Sequence, residues 1–288
     1  MLFLNERLPH IARIEYTKNR KELVNIMVNE YKLWDSMPGF DPSYGQPETT
    51  ITYYPADDAI RPCVIVFPGG GYEMRASHEG VTIAERYNRE GFHAFVVNYR
   101  LRPYRYPEIL FDGKRAVRYV RYYAEKFKVE PDHIAVCGFS AGGNLAVLTS
   151  EQYDAGIEDG DEIDRVSSRP DAAILCYSVS TLTEFTHGGT RDHLLRDYEN
   201  RDELIKKLSG ELAVRDDNPP TFIWHTASDD CVPVENALLM AQALQNKRIP
   251  MELHIYPFGN HGVGLGDGVY NCNTWMPLSV SFLHLMFQ

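Results

Sequence analysis

Ser140 lies between the apolar run His133 to Gly138 and the helical pattern Asn144-Leu145-Ala146-Val147-Leu148, within Gly138-Phe139-Ser140-Ala141-Gly142-Gly143. A serine in a tight strand-to-helix turn projects its hydroxyl as a nucleophile, and small neighbours let that turn close. Such a serine needs a base for its proton, a group that orients the base, and donors for the oxyanion formed on attack. Donors are expected from Phe67-Pro68-Gly69-Gly70-Gly71-Tyr72, which follows another apolar run. There, N–H groups of Gly70 and Gly71 can turn toward a ligand without Cβ obstruction, beside the N–H of Ala141. The competing reading is a glycine-rich turn or phosphate loop, but no GxxxxGK pattern is present and no GxGxxG follows the glycines. The base is expected at His261, in the glycine-flanked Pro257-Phe258-Gly259-Asn260-His261-Gly262-Val263-Gly264. The orienting acid is expected in Ala227-Ser228-Asp229-Asp230-Cys231-Val232-Pro233, where only one of the adjacent carboxylates can face the histidine. The other is a solvated loop charge or a carboxylate at the N-terminus of a following helix. Other histidines have plainer readings: His133, His225 and His254 lie in predicted strands, His78 opens a predicted surface helix, and His187 and His193 fall in a polar stretch.

The elements that must hold these groups alternate along the chain. Strands are predicted at Ile51 to Tyr54, Cys63 to Phe67, His93 to Tyr99, His133 to Gly138, Ala172 to Tyr177, Thr221 to Thr226 and Met251 to Tyr256. Between them, Ile109, Ala116, Val117, Val120, Tyr123, Ala124 and Phe127 form one helical stripe, with Lys114, Arg115, Arg118 and Arg121 opposite. A second stripe runs through Val234, Ala237, Leu238, Ala241 and Leu244. Short, nearly continuous apolar strands alternating with amphipathic helices imply a mostly parallel sheet covered on both faces, an α/β fold. Residues 1–48 are expected to form an N-terminal helix and loop on a single domain of residues 1–288. The polar stretch 178–218 is a candidate cap over the strand ends.

With 288 residues, 44% hydrophobic and 24% charged, the chain can bury a sizeable core. Twenty-nine Lys and Arg against 40 Asp and Glu give a formal charge of -11, the wrong footprint for nucleic acid. The cysteines, Cys63, Cys137, Cys176, Cys231 and Cys272, are odd in number and widely spaced, so neither a disulfide framework nor a zinc motif is expected. With no H-E-x-x-H or H-x-H either, we expect no metal and no cofactor. MLFLNERLPH has no basic n-region or long apolar h-region, and nowhere do 18 apolar residues run together. These features predict a cytoplasmic protein with no membrane partner; a homodimer is one expectation, since the N-terminal residues could pack on a neighbouring copy.

The serine turn, the glycine loop and the acid–histidine tail together resemble the α/β-hydrolase superfamily and, within it, small acetyl esterases and xylan-deacetylase-like carbohydrate esterases. The resemblance runs roughly from Ile51 to Phe287 through VIVFPGGGY, VVNYR, YPEILFDGKRAVRYVRYYAEKFKVEPDHIAVCGFSAGGNLA, HTASDDCVPVENALLMAQAL and MELHIYPFGNHGVGLG. It implies an α/β-hydrolase fold and places the nucleophile on Ser140, the base on His261 and the oxyanion donors on Gly70, Gly71 and Ala141. Chain order in that family is nucleophile, acid, base. Its acid usually stands three residues before the Val of a D-x-x-V-P run, here Asp229, with Asp230 as fallback. Lipase-like relatives carry a histidine before the glycines, where this chain has Pro68. The implied activity is hydrolysis of short acyl esters on acetylated sugars such as xylo-oligosaccharides. Tyr72, Tyr99 and Trp275 are candidate sugar platforms, weighed against ordinary core positions. A lipase or general carboxylesterase and an amide hydrolase share the same triad; a non-catalytic binding module would lack one of its members.

Overall fold

The computed structural model describes residues 29–288, and the central feature is one eight-stranded sheet. Its strands are β1 (Asn29–Lys32), β2 (Thr50–Tyr54), β3 (Arg61–Phe67), β4 (His93–Asn98), β5 (Val129–Phe139), β6 (Ala172–Cys176), β7 (Thr221–Thr226) and β8 (Met251–Tyr256). They lie in the order β1-β2-β4-β3-β5-β6-β7-β8. The β1/β2 and β2/β4 pairings are antiparallel, and from β4 to β8 every pairing is parallel. Among residues 29–48 the one helical turn is the 3-10 turn Pro42–Tyr44, within the loop expected there. Residues 1–28 lie outside the described residues, and Asn29–Lys32 form edge strand β1, with Tyr31 opposite Ile51.

The helices are α1 (Val81–Arg89), α2 (Glu108–Tyr122), α3 (Ala124–Phe127), α4 (Ser140–Glu151), α5 (Gly188–Leu195), α6 (Arg201–Lys207), α7 (Gly210–Ala213), α8 (Glu235–Asn246) and α9 (Trp275–Met286). Alternation along β3 shows how they are laid on. Cys63, Ile65 and Phe67 face a core with residues of α2, α4 and α8, whereas Val64 and Val66 face one with residues of α1 and α9. Both faces of β3 are therefore dry, as its unbroken apolar run requires. The stretch after β6 holds α5, α6 and α7. Its Leu194 carbonyl accepts from the Tyr106 N–H at 3.1 Å, and its Ser180 carbonyl from the Gly210 N–H at 2.8 Å. Among the described residues, no helix is long and apolar enough to cross a membrane.

The arginines opposite the α2 stripe do not face solvent. Arg115 and Arg118 are buried, because the segment between α4 and β6 folds over them with its carboxylates. Arg115 pairs with Asp161 at 2.6 Å and Asp164 at 2.9 Å, Arg118 pairs with Asp154, and Arg121 meets Asp171 at 2.8 Å. The long loop is thus held by charge-assisted bonds in addition to the core contact of its Ile163.

A second buried pair joins three elements. Arg100, just past β4, reaches Asp112 of α2 through Nε at 2.9 Å and Nη2 at 2.8 Å, and Trp34 Nε1 donates to the same carboxylate at 3.0 Å. Both charged side chains are fully buried. Asp112→Ala leaves the guanidinium unpaired in the core, so it should destabilise the fold by about 3–5 kcal/mol. Urea unfolding of the variant against the parent checks this.

Candidate active site

Ser140 sits at the junction of β5 and α4 with φ 53°, left-handed backbone that a non-glycine residue holds at a cost. The turn closes because its neighbours lack side chains: a Cβ on Gly142 would lie 2.1 Å from the Phe67 carbonyl oxygen. The same crowding fixes the glycine loop, where a Cβ on Gly69 would come within 2.7 Å of Glu79 Oε2 and 2.9 Å of Ser140 Cβ. Glycine loop and serine turn are therefore in direct contact. Gly70 and Gly71 have φ 125° and 65°, and among the described residues no acceptor takes either N–H.

His261 joins the serine to Asp229. Its Nε2 is 2.8 Å from Ser140 Oγ and its Nδ1 is 2.7 Å from Asp229 Oδ2. A carboxylate only accepts, so Nδ1 carries the proton and Nε2 is left as the acceptor for the serine hydroxyl. Asp229 Oδ1 takes the N–H groups of Cys231 at 3.0 Å and Val232 at 2.9 Å, which fixes the carboxylate's orientation. Burial acts to raise the Asp229 pKa, but hydrogen bonds from His225, His261 and the Val232 N–H outweigh it and hold the group well below the usual carboxylate range. The stability this confers is present above the ordinary carboxylate range and is lost only as pH falls through the depressed native value. Asp230 is exposed and is the carboxylate turned away from the histidine.

The loops are pinned to each other. Thr226 Oγ1 and Ser228 Oγ donate to the Gly259 carbonyl at 2.8 and 3.1 Å, fastening the histidine loop to the acid loop. Glu79, buried in the short 3-10 helix Ser77–Glu79, accepts from the Gly69 N–H at 2.8 Å and from the Tyr177 hydroxyl at 2.5 Å. That hydroxyl in turn accepts the Gly264 N–H at 2.9 Å, and the Tyr177 ring meets the His261 ring edge-on at 5.1 Å. Burial, with the Glu79 charge second, pushes the Tyr177 pKa up, so it stays a donor. His78 lies against the same loop, its Nε2 donating to the Gly262 carbonyl at 2.9 Å, in that short helix rather than opening the surface helix.

The three aromatic side chains expected as sugar platforms do not present a face. Tyr72, Tyr99 and Trp275 are all fully buried. Tyr72 donates to Asn144 Oδ1 at 2.8 Å, Tyr99 donates to the Pro68 carbonyl, and Trp275 stacks on Trp224 at 5.2 Å while donating to the Gly264 carbonyl at 3.1 Å. Each ring packs behind a loop of the site and steadies it; proximity to a strand end did not reveal which way the ring turned.

Sequence reasoning missed other contributors. Glu79 and Tyr177 carry no motif, and their partners are far away in the chain. His225 is a buried strand residue as read, yet its Nε2 donates to the Val232 carbonyl at 2.9 Å and lies 3.4 Å from Asp229 Oδ2. From α5, in the stretch expected as a cap, His193 Nδ1 donates to the Gly71 carbonyl at 2.7 Å. His187 Cε1 lies 3.9 Å from where a Cβ on Gly71 would stand. His187 Nδ1 accepts the Thr190 N–H at 3.2 Å, so Nε2 bears the proton, and burial, ahead of the neighbouring histidines, lowers its pKa toward the neutral form.

Sheet order, serine turn and loop placement define an α/β-hydrolase. The chain belongs to the BD-FAE family, whose model matches residues 51–244. In structure it is similar to the acetyl ester-xyloside bifunctional hydrolase of Caldicellulosiruptor lactoaceticus, with TM-score 0.86 and 42% identity over 90% of this chain and 96% of that one. In sequence it is 36% identical over 232 residues to endo-1,4-beta-xylanase B of Butyrivibrio fibrisolvens, covering 79% of this chain and 36% of that protein. It is 32% identical over 224 residues to the acetylxylan esterase of Xylanibacter ruminicola, covering 75% and 44%. The chain thus spans less than half the length of these two curated relatives.

Proposed function

We propose that this protein hydrolyses short acyl esters, acetyl esters of xylo-oligosaccharides or related sugars foremost, with Ser140 as nucleophile. The observation that carries this reading is the continuous relay from Ser140 Oγ through His261 to Asp229, at 2.8 and 2.7 Å. His261 Nε2 takes the serine proton as Oγ bonds to the acyl carbon. The oxyanion rests on the N–H groups of Gly70, Gly71 and Ala141, each of which supplies roughly 3 kcal/mol or more to the transition state. Collapse breaks the bond to the alcohol, whose oxygen receives the proton from His261. Water then attacks acetyl-Ser140, again giving its proton to His261; collapse breaks the bond to Oγ, which takes that proton back, and acetate leaves. Throughout, Asp229 holds the Nδ1–H tautomer and balances the imidazolium.

Short acyl groups are supported by the polar side chains, His187 and His193, that the cap segment sets against the glycine loop. The acetylated sugar as alcohol is supported by the names of the Caldicellulosiruptor and Xylanibacter relatives. The test is acyl-length dependence on p-nitrophenyl esters from acetyl to octanoyl, with acetate release from acetylated xylo-oligosaccharides in parallel. The rate should be highest for acetyl and fall at least about tenfold by octanoyl, the size of effect expected when added methylenes find no apolar pocket. A preference for long chains, or no acetate from the sugars, would overturn the substrate assignment.

A further inference from the structure

Beside the glycine loop the surface folds into a cavity of about 170 Å³, walled by Arg102, Arg105, Arg196, His193, Tyr44 and Asp197. Its volume corresponds to five or six waters at about 30 Å³ each. Three guanidinium groups around one small cavity stand out in a chain whose net charge is -11. Arg102 pairs with Glu73, but among the described residues neither Arg105 nor Arg196 has a carboxylate partner. With Asp197 and Glu73 counted against the arginines, the cavity still holds an excess positive charge.

The cavity is built rather than incidental. One wall follows β4 and the other is the end of α5, and Arg105 Nη1 ties them together by donating to the Arg196 carbonyl at 2.8 Å. Arg105 is itself steadied over the Tyr198 ring at 4.8 Å. Both walls are bonded directly to the proposed oxyanion loop: Arg102 N–H to the Tyr72 carbonyl at 2.8 Å, and His193 Nδ1 to the Gly71 carbonyl at 2.7 Å. A group seated among the arginines therefore lies next to the residues that would hold the reacting ester.

We infer that this cavity is an anionic subsite for a carboxylate on the alcohol side of the substrate, as carried by a uronosyl branch on an acetylated oligosaccharide. The inference rests on the proposed sugar-ester reading for its ligand. Guanidinium groups suit a carboxylate because their planar donors match its two oxygens. Net charge disfavours anionic substrates over the surface at large, so local attraction is what would admit one.

The test reads binding, not turnover. Titration calorimetry on the Ser140→Ala protein would compare a xylo-oligosaccharide bearing one glucuronosyl branch with its unbranched counterpart. We expect the branched ligand to bind about tenfold more tightly at low salt, as charged hydrogen bonds allow, and the margin to shrink as added salt screens the exposed arginines. Adding Arg196→Glu should abolish the preference while affinity for the unbranched ligand stays the same; Arg196→Gln should reduce it. Equal affinity for the two ligands, or an undiminished preference in Arg196→Glu, overturns the inference. Displacement of the branched ligand by acetate alone at equal concentration also overturns it, by assigning the cavity to the released acid. Hydrolysis of p-nitrophenyl acetate by the unsubstituted protein reports separately on the ester reading, so the two can fail independently.

Discussion

Ser140→Ala is expected to lower kcat/KM for p-nitrophenyl acetate by about 10⁴- to 10⁶-fold, the range found when an acyl-transfer nucleophile is removed and only the oxyanion donors and binding remain. Alanine keeps the Cβ and removes only Oγ, so the turn at φ 53° meets no new clash. Circular dichroism and thermal unfolding should match the parent. Labelling by a fluorophosphonate probe should disappear with the activity, since the probe requires a serine activated by its neighbour. Activity within tenfold of the parent would remove Ser140 from the mechanism.

Asp229→Asn should cost about 10⁴-fold in kcat, through the histidine's tautomer. In the native site Oδ1 accepts two backbone N–H groups, from Cys231 and Val232, and Oδ2 accepts the His261 Nδ1–H. An asparagine must turn its carbonyl oxygen toward the two backbone donors, which leaves its NH₂ group facing His261. The ring then has to present a bare Nδ1, moving its proton to Nε2, where it cannot accept from Ser140. The backbone bonds survive, so the variant should fold, but it should give up the stability that the ionised carboxylate confers at neutral pH, which thermal unfolding against the parent reads. Asp230→Asn is the paired control: the side chain is exposed, and kcat should stay within about twofold, as for surface substitutions in general. Steady-state kinetics of both variants decide between the adjacent carboxylates. The depressed Asp229 pKa adds a sign: with this group ionised through mild acid, a fall in rate on acidification there is expected to come from other groups, which a pH–rate profile checks.

Legibility from sequence followed how far each residue's role depends on its own neighbours. The strand at Thr221–Thr226 matches its predicted run residue for residue, because a strand buried on a parallel sheet must be apolar nearly throughout; Met251–Tyr256 matches as well, though as the half-exposed edge strand it also carries Glu252 and His254. Strand β1, Asn-Glu-Tyr-Lys, escaped notice because a short edge strand needs no apolar run. The stripe on α2 was readable, but not the fate of Arg115 and Arg118: periodicity places a charge on a face without saying what will fold over it. In the site, Ser140 and the glycines were legible since the turn itself demands those residue types. The partners of the histidine followed from chain order. Glu79, Tyr177 and His193 were not, because each acts through a contact with a distant segment that leaves no local trace, and His225 was not because its strand position hid that it turns back onto the acid loop just after it. Aromatic residues misled for the same reason in reverse: Tyr72, Tyr99 and Trp275 lie beside the right loops but turn inward.

The Glu79 carboxylate has one oxygen on the glycine loop and the other, through Tyr177, on the histidine loop. The two loops are separated by much of the chain, yet neither can shift without moving the other. Residues in them are therefore not free to change one at a time: a substitution that resizes the glycine loop alters what the histidine loop will tolerate. The effects of paired changes should depart from their sum, as they do for groups within one bonded network. Swapping a single loop in from a relative, to borrow its specificity, would import half of a matched pair.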